Sequence, residues 1–137
     1  MDFDTLNTLV TSAIWRAEQL EDLGIDCAQA WAEVASVEAE LAKILPASEP
    51  EGRLARRGAV RAALKALDYA GAYAMAEAFM AEKGPRSLKR ELTQILDEDA
   101  KSMALSFRYA AARHSPREAR ELARRFRETG PFGLAAA

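Results

Sequence analysis

The chain has 137 residues, half of them hydrophobic, which is enough for one domain with a real core and too apolar for a disordered protein. Its single cysteine excludes an intrachain disulfide, and its start has no basic segment typical of a signal peptide, so we expect a cytoplasmic protein. No uncharged stretch approaches the ~20 residues that a membrane helix needs. The sequence pI of about 5.5 argues against a free-standing nucleic-acid-binding domain.

The charges are sorted along the chain. Residues 1–45 hold nine acids and only two bases, Arg16 and Lys43, whereas residues 46–137 carry a net charge of +5. A molecule with an acidic end and a basic end can dock on a copy of itself, on an acidic partner or on a phosphate backbone. We therefore expect a binding protein, with head-to-tail association as one possibility.

The residue pattern predicts an all-α, single-domain bundle of about six helices. β-branched residues are sparse and do not alternate, whereas Ala, Leu, Glu and Arg dominate. An acidic helical hairpin is predicted for residues 1–45, with Gly24 ending its first helix and Asp26 capping its second. A basic, Ala-rich core of four helices is predicted for residues 48–130, followed by a tail at 131–137, whose last three alanines could be a cloning remnant.

The core begins with the segment Ser48-Glu49-Pro50-Glu51, which has the form of a capping box with Pro in the first turn. The apolar pattern then runs on too long for one helix, so we expect a break near 68–71, with Asp68 capping a fourth helix. This fourth helix has few charges and is predicted to be buried nearly all round. A fifth helix is expected from Ser87 and a sixth from Ser115.

A basic strip of Arg57, Arg61 and Lys65 is predicted on one face of the third helix, one turn apart. Their spacing of ~6 Å roughly matches that of successive phosphates along one strand. Arg53 and Arg56 belong to the same acid-free run and are included in this candidate site. The strip could equally be a solvated face, or it could pair with the acidic hairpin of the same molecule.

A second set of arginines follows at helical spacing in the predicted sixth helix, with Arg117, Arg120 and Arg124 as its candidate binding residues. Arginine suits phosphate or carboxylate because its planar head can donate two parallel hydrogen bonds. Neighbouring glutamates can neutralise these arginines through pairs three or four residues apart. The set is therefore either a second binding face or a solvated one.

Arg108 and His114 stand in the segment Arg-Tyr-Ala-Ala-Ala-Arg-His, which resembles the Arg-x(4–6)-His signature of HEPN-type ribonucleases. The Tyr- and Ala-rich stretch around residues 67–84 is also similar to the core helix of that family. The resemblance implies an RNase or toxin in which the histidine acts as acid and base while the arginine holds the phosphate. It is the enzymatic alternative for this chain.

The leading expectation is a non-enzymatic accessory subunit of a larger complex, with no metal and no cofactor. In size, helix content and basic face the chain is similar to the small all-α subunit of CRISPR effector complexes. A third possibility is a protein–protein adaptor that acts through its acidic hairpin. Trp15 supports this possibility, because it lies off the apolar stripe of the first helix and suggests a second contact face.

Overall fold

A computed structural model describes the backbone of residues 1–112 and the side chains of residues 1–105, together with residues 117, 120, 121 and 124. The all-α prediction is confirmed, since the described part of the chain contains helices and no strand. Five helices are observed, and their bounds are α1 Phe3–Asp22, α2 Ala28–Ile44, α3 Pro50–Lys65, α4 Tyr69–Ala81 and α5 Arg86–Ala112. The predicted sixth helix lies outside the described residues, except for four helical positions.

Most helix ends lie where local chemistry places them. Gly24 follows α1 with a φ of +69°, a left-handed conformation that glycine adopts without a steric penalty. Asp26 accepts a hydrogen bond from the Ala28 N–H at 3.1 Å, and Asp68 caps α4 through the Gly71 N–H at 3.0 Å. The predicted cap at Asp68 is confirmed, whereas the N-cap residue of α2 is Cys27, without a side-chain cap, so the predicted cap at Asp26 is wrong.

The start of α3 differs from the prediction. Pro50 occupies the first turn as expected, but the N-cap residue is Glu49 rather than Ser48, and no side chain caps the helix. The predicted capping box is therefore wrong, although the helix begins within two residues of it. The break between α3 and α4 is at Leu67, a non-glycine residue with a φ of +63°.

The third helix is the centre of the described fold. Among the five described helices, it packs against α2, α4 and α5, whereas α1 packs only against α2. Because α1 and α3 both pack on α2 and do not pack on each other, a groove runs between them. The largest fully buried side chains of the core are those of Val34, Val60, Leu88 and Leu92.

The prediction of a fourth helix buried nearly all round is wrong. Only Ala72 and Ala76 of α4 are buried, and Glu77 is exposed. Among the described helices, α4 packs against α3 and α5. Its apolar composition correctly indicated a helix that contacts the core, but composition does not report how many neighbours a helix has.

Candidate functional site

Arg56 is a structural residue rather than part of the surface strip. Only 4% of it is exposed, and its guanidinium donates to the carbonyls of Ala42 at 3.0 Å, Leu45 at 2.9 Å and Gly52 at 2.8 Å. Its Nε also donates to Glu82 at 3.0 Å. Arg56 thus ties the last carbonyls of α2 to the end of α4, and no part of it is left for a partner.

Two further arginines of the predicted site are partly engaged. Arg57 forms an ion pair with Glu91 of α5, and its Nε is buried without an acceptor among the described residues. Arg53 is half-buried and donates weakly to the Ser48 carbonyl at 3.4 Å. The Arg57–Glu91 pair is half-buried, so Arg57 is available to a partner only in part.

Arg61 is the free member of the basic strip. It is exposed and forms no ion pair or hydrogen bond with any residue that the structure describes. Lys65, one turn further on, stacks over the Trp31 ring at 4.2 Å and lies 3.8 Å from a Glu21 oxygen. The Lys65 contact shows that the strip meets the acidic hairpin at one end only.

The second basic set is described at three positions. Arg117, Arg120 and Arg124 are exposed, and Arg124 pairs with Glu121 at 2.5 Å. Arg108 belongs to α5, and His114 lies outside the described residues. The structure therefore brings together Arg57, Arg61 and Lys65 on one face and removes Arg56 from it. The Arg108–His114 pair lies outside the side chains that the structure describes.

The outer face of α1 carries exposed apolar side chains. Leu9, Ser12, Trp15 and Arg16 line a shallow recess there, and 63% of Trp15 is exposed. Arg16 is paired with Glu33 of α2 beside it. Exposed aromatic side chains next to a charged rim are typical of protein interfaces, so this α1 outer face is a second candidate surface.

Glu38 is the residue that sequence reasoning missed. It was counted as one acid of the hairpin, but it is only 9% exposed and lies in the groove between α1 and α3. Burial raises the pKa of Glu38 to about 7. A signal was present, because Glu38 stands four residues after Val34 and three before Leu41, on the apolar stripe of α2.

The described residues contain neither a cluster of metal-binding side chains nor a membrane-spanning helix. Across residues 1–112 and the four isolated positions, no group of three or more His, Cys, Asp or Glu side chains could hold a metal ion. None of the five observed helices is long and apolar enough to cross a membrane.

No family model, no curated protein and no solved structure matches this chain.

Proposed function

We propose that this chain is a non-enzymatic helical subunit whose basic strip, Arg57, Arg61 and Lys65, binds a nucleic-acid backbone within a larger assembly. Binding a backbone requires only a row of donors on a rigid element, without any contact to the bases. Helix α3 is such an element, because it is held by three neighbouring helices. The acidic half of the chain keeps the overall charge negative, so any such binding is local to this face.

The observation that carries this proposal is the state of Arg61. It stands in the middle of the strip, exposed and unpaired within the described structure, while the fold already uses Arg56 from the same run of bases. Lys65 flanks it with a surface pair that a stronger anion can displace, whereas Arg57 is held in a half-buried pair with Glu91. The strip therefore offers one free cation, one exchangeable cation and one partly buried cation along about 12 Å of helix.

Fluorescence anisotropy with labelled single-stranded RNA and duplex DNA tests this function. Wild-type protein should bind at low salt and lose affinity steeply toward physiological salt, because binding releases counterions. Arg61→Glu should weaken binding about tenfold or more and lower the salt dependence by at least about one ion. Arg61 is the position of choice, because charge reversal there breaks no contact within the described structure.

The matched control is Lys101→Glu. Lys101 is exposed on α5, so the substitution changes the net charge equally on a different surface. The proposal is wrong if wild-type protein binds neither nucleic acid at low salt, or if both variants weaken binding equally. If the wild-type protein binds an acidic protein but no nucleic acid, the strip is assigned to an acidic protein partner instead.

A protein–protein adaptor is the second candidate, and the α1 outer face favours it. Leu9 and Trp15 remain exposed although their helix packs well on α2 through Leu6 and Val10. An adaptor predicts that a pull-down with wild-type protein recovers a defined partner and that Trp15→Ser loses it. Because Trp15 is exposed, this substitution should leave thermal stability unchanged.

A further inference from the structure

The groove between α1 and α3 has an apolar lining with one buried acid. Its floor is α2, and its walls include Val10 and Ile14 of α1 and Leu54 of α3. The cavity measures about 240 Å³, which is slightly below the range of about 300–1,000 Å³ that drug-sized ligands occupy. It can therefore take a group of roughly side-chain size, but not a helix.

Glu38 is the only deeply buried acid of the described chain, and it has no partner there. It forms no hydrogen bond and no ion pair with any described residue, although nine-tenths of it is removed from solvent. Burying an ionised carboxylate without compensation is costly, so such groups are normally paired. The Glu38 oxygens are not among the fully enclosed unpaired atoms of the described residues, so they are open to a cation that enters the groove.

The position of the carboxylate is defined by Gly58 of α3. A Cβ built on Gly58 would lie 2.6 Å from Glu38 Oε1, so glycine leaves the space that this oxygen occupies. The carboxylate is thereby held between α2 and α3 at the side of the groove. Glycine in the middle of a helix lowers helix stability, which makes its presence here a feature of the packing around Glu38.

The charges around the groove favour a cation. Of the residues that line it, all of them described, the only charged ones are Glu38 and Glu51. The wall of α1 adds the uncharged polar side chains of Asn7 and Thr11. The Thr11 hydroxyl donates to the Asn7 carbonyl at 2.8 Å, which leaves the hydroxyl oxygen free to accept a hydrogen bond.

We propose that this groove binds a small primary amine with a short apolar body, whose ammonium group pairs with the Glu38 carboxylate while its carbon chain lies against Val10, Ile14 and Leu54. The ammonium has three donors, and the carboxylate together with Thr11 supplies acceptors for them. The apolar body replaces water against the groove walls. The site is separate from the basic strip and does not depend on the function proposed for it.

The raised pKa of Glu38 gives the site a pH dependence. Burial holds the carboxyl largely protonated below pH of about 7, and a protonated carboxyl cannot form the ion pair. Glu51, at the groove rim, is the only other titratable group of the lining. Amine binding should therefore strengthen as pH rises from 6 to 8, where an alkylamine remains protonated, and saturating amine should lower the pKa of Glu38.

The experiment is an NMR titration of the full chain with n-hexylamine, with n-hexanol and hexanoate as neutral and anionic analogues of the same length. We expect a dissociation constant on the order of 1 mM for the amine, given its few atoms. The shifts should centre on Ile14, Glu38 and Gly58. Hexanol should bind at least about tenfold more weakly, and hexanoate should not bind.

Two variants separate the ion pair from apolar binding. Glu38→Gln keeps the size of the side chain and should weaken amine binding at least about tenfold, to the level of hexanol. Glu40→Gln removes an exposed carboxylate from the same helix and should leave binding unchanged. Equal binding of amine and hexanol by wild-type protein, or unchanged amine binding by Glu38→Gln, would overturn the proposal.

A readout on wild-type protein alone covers the case in which Glu38→Gln does not fold. The Glu38 side-chain carboxyl carbon reports its own titration by NMR, with and without saturating hexylamine. A fall in the Glu38 pKa of about one unit corresponds to a tenfold preference of the amine for the ionised form. An unchanged Glu38 pKa would overturn the proposal, whatever the variant does.

Discussion

Arg56 and Arg61 stand five residues apart on the same helix, in the same acid-free run, and do opposite things. Arg56 faces inward and uses its guanidinium to satisfy carbonyls of Ala42, Leu45 and Gly52. Arg61 faces outward and contacts no described acid or acceptor. The difference shows that a cluster of bases in a sequence is not a surface property until the helix face of each member is known.

The inward-facing Arg56 satisfies backbone carbonyls at the end of α2. Helix α2 ends at Ile44, two residues before Pro46, and its last carbonyls have no partners within the helix. Arg56 supplies donors to two of them and holds Glu82 at the end of α4. Its head also lies 5.6 Å from the centre of the Phe79 ring. One side chain thus joins the ends of two helices to the first turns of α3.

The largest effect should follow from Arg56→Ala. This change leaves the carbonyls of Ala42 and Leu45 without their donor and Glu82 without its counter-ion, and it opens a cavity beside Phe79. Removing one partner of a buried charge network costs about 3 kcal/mol of unfolding free energy. Urea denaturation followed by circular dichroism measures it. A loss below about 1 kcal/mol would mean that water replaces Arg56 and that the inner network is dispensable.

The contrast between the two arginines also explains what could be predicted from the sequence. Gly24, Asp68 and Pro50 mark helix ends through chemistry local to each turn, and these ends were found. The inward position of Arg56 depends on where the end of α2 lies in space, which no local pattern encodes. Glu38 was accessible in principle, because it interrupts the apolar stripe of α2, but its charge grouped it with the surface acids of the hairpin.

A second test concerns the packing of α3 and uses its two glycines, Gly52 and Gly58. A Cβ at Gly52 would lie 1.9 Å from the Pro46 carbonyl oxygen, which is backbone and cannot move alone. We expect Gly52→Ala to destabilise the protein by about 2 kcal/mol despite the better helix propensity of alanine, because overpacking outweighs it. The measurement is the urea midpoint at constant slope. An increase in stability would show that α3 is free to shift at this crossing.

Gly58→Ala is the matched comparison. Its Cβ would meet the Glu38 carboxylate rather than backbone, and the end of a side chain can turn away. The loss should therefore be smaller than at Gly52, since the gain of about 1 kcal/mol in helix propensity offsets part of the clash. If both alanine variants lost equal stability, the two crossings would be equally rigid and Glu38 could not move.

The pH dependence of stability tests whether the fold holds Glu38 as a neutral acid. The pKa of Glu38 is about 7 in the folded protein, above its ordinary value of 4.5, because burial disfavours the charged form. Between these values the folded state binds a proton that the unfolded state has released, so the unfolding free energy falls as pH rises and levels off above about 7. Glu38→Gln should remove this contribution.

The expected difference is measured by comparing the variant with wild-type protein at pH 5 and pH 8. Relative to wild type, Glu38→Gln should gain about 2–3 kcal/mol between the two values, since about two units of the pKa shift lie between pH 5 and pH 7 and each unit corresponds to 1.36 kcal/mol. Other titrating groups are common to both proteins and cancel in this difference. Parallel pH profiles would show that Glu38 ionises freely and that water reaches its carboxylate.

The smallest effect is expected on the exposed side of α3, and it decides how the basic strip is interpreted. Arg61→Ala should change the unfolding free energy by less than about 0.5 kcal/mol, because no described contact is lost. Lys65→Ala should cost about 0.5–1 kcal/mol through its contact with the Trp31 ring. Thermal melts of the two variants beside wild type rank them. A strip available to a partner requires Arg61 to be neutral for stability; a loss of 1 kcal/mol or more would place it among the residues that hold the fold, as Arg56 is.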